Sequence, residues 1–210
     1  MIHYIWLKAF SLIIKFQEAL KDLQVHDHAC LIYENKREQL AAAIPFMRIG
    51  LDRGEQCVYI ADDNTAAEIF KAMKDEGIDV ETVTKSGALT VVGKKDAYLR
   101  GGRFDPDSMI DFLNESTDSA KAAGFPALRV TGEMTWVLGL ESGNERLAEY
   151  ENKLNELFQD SDVLGICQYD IEHLDPEIIH QAIYTHPLVI YKGRVWNNFQ
   201  YHCSTQSLES

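Results

Sequence analysis

No CxxC pair occurs anywhere in the sequence. Its four cysteines, Cys30, Cys57, Cys167 and Cys203, are scattered through 210 residues, too sparsely for a disulfide scaffold, which points to a reducing, cytoplasmic setting. Positive charge is also scarce: Lys plus Arg number 20 against 33 Asp plus Glu, a net charge of -13. The acidic residues are spread along the chain, and such a field repels phosphate backbones, so direct nucleic-acid binding is not expected. A membrane-spanning run is missing as well. The apolar start MIHYIWLKAFSLIIKF is interrupted by Lys8 and Lys15, well short of the roughly 20 residues a bilayer requires, and no small-residue cleavage site follows it. Internal repeats and low-complexity linkers are absent too. The remaining sequence, 46% hydrophobic, suffices to bury roughly 70% of its unfolded surface in one core.

Within residues 1–25, Ile2, Trp6, Ala9, Ile13, Phe16, Leu20 and Leu23 recur alternately four and three apart. This is a heptad seam, and it predicts an amphipathic helix for dimerisation or signalling. Packing on its own domain and lying on a membrane surface are the alternatives; Ile5, Phe10, Leu12 and Ile14 broaden the apolar face without choosing among them. From residue 26 the pattern becomes an alternation of strands and helices. HACLIY, QCVYIA, ALTVV, ALRVTGEM, VLGICQYD and PLVIYKG read as six strands. The alternation predicts an α/β architecture of three layers, a mostly parallel sheet with helices on both faces. Residues 26–195 form this domain, and 196–210 a C-terminal tail.

The unit LIYENKREQLAAAIPFMRIGLDRGEQCVYIADDN resembles the start of a RecA/KaiC-like ATPase core. In that core the loop after strand one is GxxxxGK[ST], because backbone must approach the phosphates and a lysine must reach them. Here it reads ENKREQ, with no glycine, and Lys36 and Arg37 precede Glu38. P-loop ATPase activity is therefore not expected. With HACLIYEN, YLRGGRFDP, LRVTGEMTW, GICQYD and THPLVI in order, residues 26–195 resemble the MEDS family, the methanogen/methylotroph DcmR sensory domain. The resemblance implies a cytoplasmic ligand-sensing domain related to RecA-like ATPases, found beside DNA-binding or histidine-kinase modules and perceiving small hydrocarbon-type or one-carbon compounds; a non-enzymatic sensor is the expected function. No output module is apparent outside the match. Output is then expected through a homodimer, through a protein partner such as a histidine kinase or transcription regulator, or on a portion of the protein not in this chain. No cofactor is implied.

In open α/β sheets ligands bind beyond the C-terminal ends of the strands. A RecA-like order with strand one between strands four and five predicts one crevice there, shared by Tyr33, Glu34, Asn35, Thr131, Glu133, Trp136, Cys167, Tyr169 and Asp170. Aromatic faces and a few polar groups suit a small, weakly polar ligand. Tyr33 and Tyr169 at the core edge, Glu133 capping the following helix and Trp136 as packing are the structural alternatives. His28 and Cys30 project to one face of strand one, where an imidazole could activate a thiol. Yet His28 begins the strand, at the end opposite the crevice, and both residues also fit structural roles. Zinc through His26, His28 and Cys30 is disfavoured, since alternate strand residues stand about 6.5–7 Å apart. No metal site is assigned, although one drawing on Cys57, Cys167 or His186 stays open. Arg100, Gly101, Gly102 and Arg103 read as a lid or interface loop, or an anion site, with Asp105 and Asp107 at hand to neutralise the arginines. His186 before Pro187 suits an extended lead into the strand, or faces the ligand. Two further functions remain open: a degenerate RecA/KaiC-like nucleotide-binding or scaffold module, and a cysteine-dependent enzyme on a one-carbon substrate, with Cys30 or Cys167 as nucleophile and Glu133 as base.

Overall fold

A computed structural model describes residues 14–139 and 145–201. Seven strands form one sheet in the order β3-β2-β4-β5-β1-β6-β7. They are β1 (His28–Tyr33), β2 (Gln56–Ala61), β3 (Leu89–Gly93), β4 (Leu128–Glu133), β5 (Val163–Asp170), β6 (Leu188–Tyr191) and β7 (Arg194–Asn197). All neighbours pair in parallel except β6 with β7. Every residue of β1, β4 and β5 is buried, including the polar Arg129, Thr131, Glu133, Gln168 and Asp170, because both sheet faces are covered. The order corrects one expectation. β5, not β1, lies beside β4, and β1 sits between β5 and β6.

The helices are α1 (14–21), α2 (Lys36–Asp52), α3 (Ala66–Asp75), α4 (Val80–Lys85), α5 (Pro106–Ala122), α6 (Glu145–Asp160) and α7 (Pro176–Thr185). Local chemistry sets their starts. The Asn35 side chain accepts from the Glu38 amide to cap α2, Thr65 and Glu68 form the capping box of α3, and Asp105 caps α5 with Pro106 in its first turn. Side chains alternate along each strand and so feed two cores. On one face Leu31, Tyr59 and Ile166 pack with Ala43, Phe46, Ile69 and Val80 of α2, α3 and α4. On the other, Cys30, Ile60, Cys167 and Tyr169 pack with Met109, Leu154 and Ile178 of α5, α6 and α7.

The short elements α4 and β7 were not predicted. β7 follows a two-residue turn in which Lys192 and Gly193 both have positive φ, 48° and 68°, as primed hairpin turns require. Of the N-terminal seam, Leu20 and Leu23 are buried in the α2 face and Phe16 packs against it. Arg53 donates to the Leu23 carbonyl at 3.0 Å. The described end of this helix therefore lies on its own domain, while Ile2 through Ile13 of the seam lie outside the described residues. No helix among the described residues is long and apolar enough to cross a membrane.

Candidate functional site

The sheet divides the sequence-predicted residues between its faces. Glu133 ends β4 on the α2 face. It accepts from the Tyr59 hydroxyl (2.9 Å), the backbone amides of Asp62 (2.8 Å), Asp63 (2.6 Å) and Asn64 (3.0 Å), and the Asn64 side chain (2.6 Å). Five donors saturate a carboxylate with about four lone-pair sites. Glu133 thus fastens the β2–α3 loop rather than capping the residues that follow it. Gln39 and Gln168 extend the network: Gln39 donates to Gln168 (2.9 Å), which donates to the Thr131 hydroxyl (2.8 Å). Tyr33 is buried on the same face, and burial pushes its phenol up. At the strand end, Glu34 accepts from the Tyr191 hydroxyl at 3.1 Å and pairs with Lys192. Only Glu34 and Asn35 separate β1 from α2.

Trp136 lies in the 3-10 turn Thr135–Gly139 and stacks on Tyr98 at 4.7 Å, with Phe104 at 4.1 Å, inside the α5–α6 core. In the glycine loop, Arg100 pairs with Glu115 at 3.2 Å, and Gly102 and Arg103 are exposed. Gly102 has φ 82°, a conformation suited to glycine. Asp105 and Asp107 pair with Arg146 and Lys153 of α6, not with the loop arginines.

On the opposite face, four side chains from distant segments converge. His28 opens β1, Glu151 lies on α6, Cys167 is mid-β5, and His186 leads into β6 with the extended backbone (φ -112°, ψ 128°) imposed on a residue before proline. His28 Nε2 lies 3.5 Å from both Cys167 Sγ and Glu151 Oε2; His186 Nε2 is 3.3 Å from the same Oε2, and Cys167 Sγ 3.9 Å. One nitrogen, sulfur or oxygen atom from each of the four lies within 4.8 Å of the others, and all four residues are buried. The phenol of Tyr169 donates to the other Glu151 oxygen, Oε1. Gly165 faces His28 across the β1–β5 register and leaves room for Phe158, whose ring meets His28 edge-on at 4.9 Å.

Hydrogen bonds fix both imidazoles. The Asn155 amide nitrogen donates to the Thr185 carbonyl (2.7 Å), so its Oδ1 faces His28 Nδ1 at 2.9 Å as an acceptor. His186 Nδ1 donates to the Ala182 carbonyl at 2.7 Å. Each ring therefore holds its proton on Nδ1 and turns the Nε2 lone pair into the cluster. Burial favours the uncharged forms: it pushes His28 down to about 4, His186 well below its usual range, the Glu151 carboxyl up to about 8, and the Cys167 thiol well up, reinforced by Glu151.

His28, Cys167, Tyr169 and His186 are thus brought together. Tyr33, Glu34 and Glu133 stand apart on the other side or edge of the sheet. Cys30 is across β1 from Cys167 in register, but His28 meets Cys167 rather than Cys30. Sequence reading missed Glu151 and Asn155. The available signal was periodicity: Leu147, Glu151, Leu154 and Phe158 follow i, i+4, i+7, i+11, which puts a carboxylate on the buried stripe of α6.

A mostly parallel sheet of this order, flanked by helices on both faces, defines a KaiC-like α/β fold, here with a sealed polar cluster under two helices. The fold matches the crystal structure of a KaiC-like protein from the hyperthermophilic archaeon Pyrococcus horikoshii, with a TM-score of 0.56 at 20% identity, covering 78% of this chain and 69% of that one. The chain belongs to the MEDS family, described as the MEthanogen/methylotroph, DcmR Sensory domain, whose sequence model matches residues 27–187. It is also 30% identical over 173 residues to the transcriptional repressor DcmR of Methylorubrum extorquens. That alignment covers 82% of this chain and 62% of the repressor's length. Family and relative together give the chain a sensory or regulatory role.

Proposed function

We propose that residues 26–195 act as a cytoplasmic sensory domain for a small hydrocarbon-type or one-carbon compound, signalling through a homodimer or a partner such as a histidine kinase or transcription regulator. One observation carries this reading: the sealed cluster of His28, Glu151, Cys167 and His186, with His186 Nε2 lacking a hydrogen-bond partner. Burying polar groups without full compensation costs stability, roughly 1–3 kcal/mol each from mutational data, and such clusters concentrate at functional sites. Family membership supports sensing as the function served.

Nucleotide hydrolysis has no part in this reading. The β1–α2 connection is two residues long and free of glycine, and the helix-starting amide of Glu38 donates to the Asn35 side chain instead of standing open for a phosphate. Cysteine nucleophilicity is disfavoured too, because burial pushes the Cys30, Cys57 and Cys167 thiols up, Cys57 to about 12. The test is calorimetry with halogenated and methylated one-carbon compounds, paired with light scattering. A binding compound that also changes oligomeric state or the exposure of α1 is expected. A chain that binds none of them, or binds without either response, contradicts the proposal. A ligand shifts an equilibrium only through its differential affinity for the two states.

A further inference from the structure

We infer that His28, His186, Cys167 and Glu151 form a closed four-ligand centre for a borderline-soft divalent transition ion, zinc foremost. The inference deepens the sensory reading of this cluster and rests on it for its purpose.

The separations are close to those of a tetrahedral site. Metal–ligand bonds of ~2.0–2.3 Å imply ligand-to-ligand edges of about 3.3–3.8 Å. Four of the six edges here are 3.3, 3.5, 3.5 and 3.9 Å, and all six lie within 4.8 Å. The four residues come from β1, α6, β5 and the lead into β6, so the coincidence is tertiary.

The hydrogen-bond pattern is oriented for a cation. Both histidines spend their proton on an outward acceptor, Asn155 Oδ1 or the Ala182 carbonyl, and aim lone pairs inward. Tyr169 occupies Glu151 Oε1 and leaves Oε2 facing the ring nitrogens. These outer contacts are the kind that orient metal ligands and fix their tautomer. The two imidazoles present lone pairs, and His186 Nε2, fully buried, has no hydrogen-bond partner. Once Cys167 and Glu151 give up their protons, one cation satisfies all four atoms at once.

Charge points the same way. A divalent ion with one thiolate, one carboxylate and two neutral imidazoles is a neutral unit, which suits a fully buried position better than any separate ion. Mixed nitrogen and sulfur donors select zinc, or cobalt as its substitute, over magnesium or calcium. Four protein ligands with no solvent access describe a closed centre, tying α6 and the end of α7 to β1 and β5.

The experiment uses the full chain, purified without chelator, with zinc and cobalt as probes. About one zinc per chain is expected, and replacement by cobalt should give a sulfur-to-cobalt charge-transfer band with the intense visible absorption of tetrahedral cobalt. Cys167→Ser should abolish the charge-transfer band, His186→Ala should leave the metal substoichiometric, and Cys30→Ala should leave the spectrum intact. Asn155→Ala should lower affinity about 10–100-fold at unchanged stoichiometry. A folded wild-type chain that takes up neither ion, a cobalt spectrum lacking thiolate or tetrahedral character, or a charge-transfer band that survives Cys167→Ser overturns the inference. If a ligand variant does not fold, the wild-type spectrum with the Cys30→Ala and Asn155→Ala comparisons decides it. A compound response without metal leaves the sensory reading standing alone; metal without any compound response removes that reading and keeps the centre.

Discussion

His186 Nε2 lies 3.3 Å from Glu151 Oε2, in a place neither side chain shares with solvent. The histidine comes from the lead into β6 and the glutamate from the middle of α6, and only the fold makes them neighbours. This contact is where the buried stripe of a helix and the extended residue before a proline become one site.

Chelation should lower the melting temperature of the chain. A ligand present at 1,000 times its dissociation constant contributes about 4 kcal/mol, and a chain of this size shifts about 2–4 °C per kcal/mol. The expected loss is therefore about 8–16 °C on treatment with a strong chelator, restored by zinc, and read by calorimetry or circular dichroism.

Arg129 of β4 is fully buried, pairs with Glu55 at 2.5 Å and lies over the Phe46 ring at 4.4 Å. Glu55→Ala leaves the guanidinium without its counter-charge and should cost about 3–5 kcal/mol in urea unfolding, whereas a well-packed Arg129→Met, Glu55→Leu pair should cost far less.

Gly50 on α2 is required by that same arginine. A Cβ at this position would fall 2.5 Å from Arg129 Cδ and 2.7 Å from Cys57 Sγ. Gly50→Ala, ordinarily favourable in a helix, should instead destabilise by about 1–3 kcal/mol through overpacking.

Glu133→Gln should loosen the β2–α3 loop without unfolding the sheet. An amide nitrogen placed against the backbone amides of Asp62, Asp63 and Asn64 turns acceptor into donor, at a cost of about 1–3 kcal/mol. Hydrogen exchange should accelerate at those three amides first.

His173 Nδ1 lies 2.9 Å from Asp170 Oδ2, and this hydrogen bond, with the nearby charge, raises the imidazole above its usual 6.5. A raised folded value means the pair's contribution is complete below about pH 6.5 and fades as pH climbs through the folded value. Proton NMR should give a midpoint above 6.5 that returns to the ordinary range in Asp170→Asn.

Much of this fold is written locally. Continuous apolar strands, the Thr65–Glu68 box and the Asp105–Pro106 start specify their elements by short-range patterning. Short elements are less visible: β7 depends on the Lys192–Gly193 turn and its pairing with β6 rather than on any pattern within RVWN. The strand order is nonlocal, and an order with β1 beside β4 carries a single crevice shared by Tyr33, Glu133 and Tyr169. In the structure Tyr169 pairs in register with Ile32, so alternation sends Tyr33 and Tyr169 to opposite faces. His28 and Cys167 are conspicuous residue types in the sequence, but their meeting depends on register. Glu151 was readable as an odd member of an apolar stripe, whereas its partners were not.

The most direct test of the account is a thermal shift series with halogenated and methylated one-carbon compounds on the wild-type chain and on Glu151→Gln. The account predicts that at least one compound raises the wild-type melting temperature and that the rise is lost or much reduced in the variant. No shift in the wild type, or the same shift in both, would contradict a sensory site built on this cluster.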